Sequence, residues 1–197
     1  MTTPDPRAAV LDLIFGRWRS HILYAGVKLG IFDALGSGPK GATAIAQELG
    51  LDSALSYRLL RALGSIELLK EHSDKTFSIT EAGEFLRKNH PRTLGGVALL
   101  AEGPEHYAIW KHLPAMVRDG KQNGFIREFG RLAFDHAAHN REYAEVFNEA
   151  MSSHSTVETE WALQALDGFD FSSISHLCDV GGGQGYMLCN FLVKYPR

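Results

Sequence analysis

The run Asp179-Val-Gly-Gly-Gly-Gln-Gly185 limits the fold of this chain more than any other stretch. It follows the apolar segment His176-Leu-Cys-Asp-Val180 and precedes Tyr186-Met-Leu-Cys-Asn-Phe-Leu-Val193, which reads as a helix. Strand, glycine turn and helix N-terminus in that order form a nucleotide-binding βα unit. Glycine suits such a turn because the backbone must bend sharply and approach a ligand where a Cβ would collide. The sequence therefore predicts a strand at His176–Val180 and a helix after Gly185.

Upstream, Ala8 to Val27 carries Leu11, Ile14, Phe15, Trp18, Ile22 and Leu23 at helical spacing. A compact unit follows between about residues 41 and 87. Ala42–Leu49 reads as a short helix ended by Gly50. A second helix starts at Asp52 or Ser53, with Leu55, Leu59, Leu60 and Leu63 facing inward. Two strands, IELLKEH and KTFSIT, are separated by a polar turn at Ser73–Asp74, and Thr80 caps the helix EAGEFL. Helix, turn, helix and hairpin in this order describe a winged-helix module. From Leu94 to Leu166 the pattern is mostly helical. In its most regular part Tyr143, Val146, Phe147, Ala150 and Met151 share one face. Asp167–Phe171 then turns into the glycine-loop segment.

Charge argues against several functions. A DNA-reading winged helix presents basic residues on its second helix. Here the outward candidates are Ser56, Arg58 and Arg61. Residues 41–90 hold six Lys/Arg against seven Asp/Glu, so no basic stripe meets phosphates. The net charge of −3 gives no bulk attraction to nucleic acid or to an anionic membrane. The longest apolar region, around residues 21–35, contains Lys28 and Asp33 and reads as no membrane span. His136 and His139 have helix spacing but no partnering Cys or acidic motif, so they read as solvated surface rather than metal ligands. Cys178 and Cys189 read as free thiols, consistent with a cytoplasmic protein.

The glycine loop itself separates two cofactor classes. Dinucleotide binders ask for G-x-G-x-x-G, and the sixth position from Gly181 is Tyr186. What stands is D-V-G-x-G-x-G, the pattern of S-adenosylmethionine-dependent methyltransferases. The resemblance becomes specific with FNEAMSSHS at residues 147–155 followed by DVGGGQG at 179–185. With GVKLGIFDAL at 26–35 and the winged-helix region, these segments resemble the small-molecule O-methyltransferases, a family that includes caffeate, flavonoid, acetylserotonin and polyketide-tailoring enzymes. The resemblance implies a helical N-terminal domain used for homodimerisation and a Rossmann-like domain that binds S-adenosylmethionine. It implies that Gly181, Gly183 and Gly185 form the cofactor loop, with Asp179 at the strand end and Ser155 and Met151 near the methionine part. It implies an acceptor pocket lined by Tyr143, Phe147, Met151 and His154. From spacing alone, Phe147 and Met151 also fit a plain core, and His154 fits a hydrogen-bonded interior histidine.

The family resemblance also implies a histidine base and a ribose-binding acid later in the Rossmann-like domain, and the sequence holds neither. The chain therefore reads as a fragment in three parts: residues 1–100 as a helical, winged-helix dimerisation domain, 101–172 as a helical linker lining the substrate pocket, and 173–197 as the start of a cofactor domain. The expected function is O-methylation of a small aromatic or polyketide-like hydroxyl compound, the fragment alone being inactive. The alternative is a non-catalytic dimerisation or regulatory module.

Overall fold

In a computed structural model the described residues are 5–183 and 185–196, so residues 1–4, Gln184 and Arg197 lie outside the description. The chain opens with α1 (Pro6–Lys28), capped by the Asp5 carboxylate, which accepts from the Arg7 amide. A short α2 (Ile31–Ala34) follows, then β1 (Lys40–Gly41), α3 (Ala42–Leu49) and α4 (Ser53–Ser65). Asp52 is the cap of α4, accepting from the Leu55 amide at 2.8 Å. The hairpin strands are β2 (Leu69–Glu71) and β3 (Thr76–Ile79), and Lys75 takes a positive φ of 62° in the polar turn between them. Both pairings are antiparallel, and β3 lies between β1 and β2. β1 has only two residues, too few to show alternation in the sequence.

Thr80 ties this hairpin to α5 (Glu81–Glu84), which is shorter than the pattern predicts. Its hydroxyl accepts from the Gly83 amide at 3.1 Å and donates toward the carbonyl of Glu67 at 2.7 Å. Phe32, Ile45, Leu60, Leu63 and Phe77 are fully enclosed between these elements. Each such side chain contributes about 1.5–3 kcal/mol on burial. Two expectations for α4 fail. Leu55 is 62% exposed, whereas Ser56 is buried. The true inward stripe runs Ser56, Leu60, Leu63, an i, i+4, i+7 series, and Leu55 overhangs it in the first turn.

The second half is a set of helices around one long one. These are α6 (Gly95–Ala101), α7 (Pro104–Ile109), a 3₁₀ turn at Trp110–His112, α8 (Leu113–Asp119), α9 (Gly124–Phe129), α10 (Ala133–His139) and α11 (Arg141–Ala165). α6 lies across α11 so closely that a Cβ on Gly96 would stand 2.9 Å from the Ala150 amide nitrogen. Leu100, Tyr143 and Ala150 centre this second core.

The last helix, α12 (Tyr186–Lys194), forms as predicted and lies against α11. Lys194 donates to the Leu163 carbonyl at 2.7 Å and Tyr195 to that of Leu166 at 3.0 Å. The strand predicted at His176–Val180 does not form. These residues are without regular structure, and among the described residues no backbone hydrogen bond joins them to another segment. A strand exists only through a ladder with a neighbour, and the three-stranded sheet belongs to residues 40–79. No helix among the described residues is long and apolar enough to cross a membrane.

Candidate functional site

The glycine turn has the backbone that its composition demands. Gly181, Gly183 and Gly185 all take left-handed φ values, +78°, +55° and +76°. A side chain at any of them would be strained, yet a Cβ there meets nothing within 4 Å. The space beside these three residues is open. Gly182 differs, because its Cβ would strike the Asp179 carboxylate. Asp179 folds back over the turn, and its Oδ2 is buried without a hydrogen-bond partner among the described residues. The turn closes with the Gly185 amide donating to the Gly182 carbonyl at 2.7 Å and leads straight into α12.

On α11 the predicted acceptor residues separate. The helix starts at Asn140, whose side chain accepts from the Tyr143 amide at 3.1 Å. Phe147, Met151, His154 and Glu158 recur at spacings of four, three and four residues, which puts them on one face. Met151 is 42% exposed, and His154 is open and pairs through Nδ1 with Glu158 Oε2 at 3.2 Å. Phe147 is half-buried and rests edge-on against Phe134, ring centroids 5.8 Å apart. Ser155 is half-buried one position round from His154.

Tyr143 is on the same helical face as Phe147, their ring centroids 6.0 Å apart, but is enclosed where Met151 and His154 are open. It is only 3% exposed, and its hydroxyl meets His106 Nε2 at 3.1 Å. Burial lowers the pKa of His106 and raises that of Tyr143, with the Glu105 carboxylate opposing the first shift and reinforcing the second. His136 closes the group, 4.6 Å from the Phe129 ring and 4.0 Å from Glu105 Oε1. His136 is therefore an enclosed member of an aromatic box rather than solvated surface. Tyr143 also borders a cavity of about 280 Å³ with Tyr24, Lys28, Glu105 and Glu142. Sequence reading missed His106, Phe125 and Glu105, which sit on short helices broken by Gly and Pro where periodicity is faint.

Residues 11–89 match the O-methyltransferase dimerisation domain and residues 110–197 match the O-methyltransferase domain. The chain belongs to the O-methyltransferase family. Among its O-methyltransferase relatives, the phenazine O-methyltransferase PhzM of Lysobacter antibioticus is 32% identical over 188 residues, 95% of this chain and 54% of that protein. The crystal structure of the N,N-8-amino-8-demethyl-D-riboflavin dimethyltransferase RosA from Streptomyces davawensis superposes with a TM-score of 0.85. It is 27% identical, over 98% of this chain and 57% of that one. Human N-acetylserotonin methyltransferase, solved in complex with SAM, gives 0.83 at 26% identity, over 100% and 58%. The chain spans about half the length of the curated relatives it matches.

Proposed function

We propose that this chain carries the dimerisation part, one acceptor wall and the cofactor loop of an S-adenosylmethionine-dependent O-methyltransferase acting on a small aromatic or polyketide-like hydroxyl compound. The single observation behind the reading is the left-handed backbone of Gly181, Gly183 and Gly185, a turn that side chains would strain and that stands open beside each glycine. When bound, S-adenosylmethionine supplies a sulfonium methyl group for in-line displacement by the acceptor oxygen. The orphaned Asp179 oxygen is the polar group on this turn available to a ligand's hydroxyl or ammonium donors.

The remaining roles belong to α11. Phe147 and Met151 form an apolar wall that would hold a flat acceptor and exclude water, so that much of the rate gain is positioning. His154, oriented by Glu158, stands at the polar edge of that wall. Ser155 faces the methionine portion of the cofactor in this reading. α12 has nine residues and its C-terminal end is held at Leu163 and Leu166. Its length of roughly 12–14 Å supports pairing the loop with the Ser155 level of α11.

The division of labour follows residues 1–100, 101–172 and 173–197, with residues 41–87 as a winged-helix module turned to homodimerisation in the cytoplasm. Support for docking over DNA reading comes from the charge balance of residues 41–90 and from Arg61, whose charge is partly offset by Glu71 at 3.2 Å.

Calorimetry of the whole gene product with S-adenosylhomocysteine tests this function. Saturable heat is expected, with affinity at least tenfold weaker in Gly183→Ala while the helical circular dichroism stays unchanged. No heat from the unsubstituted protein at millimolar ligand removes the reading.

A further inference from the structure

The cavity beside Tyr143 holds a charge that the chain leaves unbalanced. It measures about 280 Å³ and lies between the C-terminal end of α1, α6, and the first turns of α7 and α11. Leu99, Leu100 and Val146 give it apolar surface, and Tyr24 and Tyr143 add aromatic surface. Its charged residues are Lys28, Glu142 and Glu105. Lys28 and Glu142 answer each other at the rim, Nζ to Oε1 at 3.4 Å, with the Glu142 side chain 83% exposed. Glu105 is the inner carboxylate, its side chain only 20% exposed. Among the described residues no lysine or arginine pairs with it. Its polar neighbours are the Asn140 side-chain amide at 3.5 Å and His136 Nε2 at 4.0 Å, both at the limit of contact. His106, the next residue in the chain, is drawn toward its neutral form by burial and does not balance the charge.

We propose that this cavity binds a small organic ammonium, one ring on a short amine chain, with the ammonium at Glu105 and the ring on the Leu99, Leu100 and Val146 surface. The proposal goes beyond the methyltransferase function and does not depend on it.

The chemistry of the occupant follows from the lining. A carboxylate drawn out of water without a cation is costly, and an ammonium supplies both the missing charge and hydrogen-bond donors. Two carboxylates against one lysine leave the cavity one negative charge, which repels an anion and attracts a cation. The tyrosines favour the same choice, because aromatic surface attracts both cations and other rings. A bare metal ion would ask for several oxygen ligands at once, whereas most of this lining is carbon. Pockets for drug-sized ligands run to ~300–1,000 Å³, so this one suits a smaller molecule. Met151 lies about 12 Å further along α11 than Tyr143, at 1.5 Å per residue, so the cavity is separate from the open part of the acceptor wall.

Calorimetry of the whole gene product with 2-phenylethylamine, and with 2-phenylethanol as its neutral counterpart, tests the proposal. Saturable heat is expected with the amine, and binding at least tenfold weaker with the alcohol. Glu105→Gln keeps the size and removes the charge, and is expected to weaken the amine at least tenfold with unchanged circular dichroism. Lys28→Met is expected to act in the opposite sense, tightening the amine at least threefold by removing a positive charge from the rim. Lys28 is exposed, so this exchange disturbs no core and decides the matter even if Glu105→Gln fails to fold. Equal affinity for amine and alcohol, or an amine affinity that Lys28→Met leaves unchanged or weakens, overturns the proposal. So does an amine affinity unchanged in a folded Glu105→Gln. No heat with about 10 mM amine from a protein that binds S-adenosylhomocysteine removes the ammonium site and leaves the methyltransferase reading standing. Heat with the amine and none with S-adenosylhomocysteine does the reverse.

Discussion

His106 is the side chain whose environment leaves the plainest solution signature. Burial beside Tyr143, Phe125 and His136 holds its pKa below the ordinary histidine value of about 6.5, and the neighbouring Glu105 offsets this only in part. The folded protein thus binds a proton at this site less readily than the unfolded chain. Its stability is whole above about pH 6.5 and falls as pH drops through that value toward the lower folded one. Glu128 titrates elsewhere, because bonds from Lys111 and His112 hold it below its usual range. His106→Gln keeps a hydrogen-bonding side chain facing Tyr143 and removes the titration. Between about pH 7 and pH 5 the urea midpoint of the parent is expected to fall more steeply than that of His106→Gln. Parallel curves would assign the acid sensitivity to another group.

Among the elements, helices and caps were legible and their partners were not. Asp52, Thr80 and the 3.6-residue rhythm announce α4, α5 and α11 because capping and amphipathicity are local chemistry. Choosing Leu55 over Ser56 was a slip of one position in phase, invisible until the opposing core is known. The α1 stripe was legible as apolar, but nothing local says that its outer half stays open among the described residues. The His106–Tyr143 contact spans 37 residues, beyond any periodic signal. The acceptor residues divided in the same way, since spacing alone does not tell the open Met151 from the enclosed Tyr143. The α6–α11 crossing shows what such distant partners demand. Alanine at Gly96 gains helix propensity of about 1 kcal/mol, yet its Cβ meets the Ala150 and Glu149 backbone, which has no rotamer with which to yield. Gly96→Ala is expected to destabilise the fold by a net ~1–3 kcal/mol in urea unfolding.

At the scale of the whole molecule the two halves of the chain are held by different means. Residues 31–86 surround a core whose central side chains are fully enclosed, within a paired sheet and capped helices. The segment from Ser173 to Gly183 keeps the conformation of its glycine turn without a ladder, and Val180 is 93% exposed. What anchors it is α12, through Lys194, Tyr195 and the ring cluster of Phe171, Phe191 and Tyr195. Local opening free energy follows buried contacts and paired amides. Native-state hydrogen exchange on this chain should therefore find Leu60, Leu63 and Phe77 amides among the slowest, α12 intermediate, and His176–Val180 close to unprotected. Adding S-adenosylhomocysteine to the whole gene product should slow the amides around Gly181 to Gly185 more than those of the residue 31–86 core, because a ligand protects the backbone it covers. Slow exchange at His176–Val180 in the free chain would mean that this segment has a strand partner, and the account of the missing ladder would fall with it.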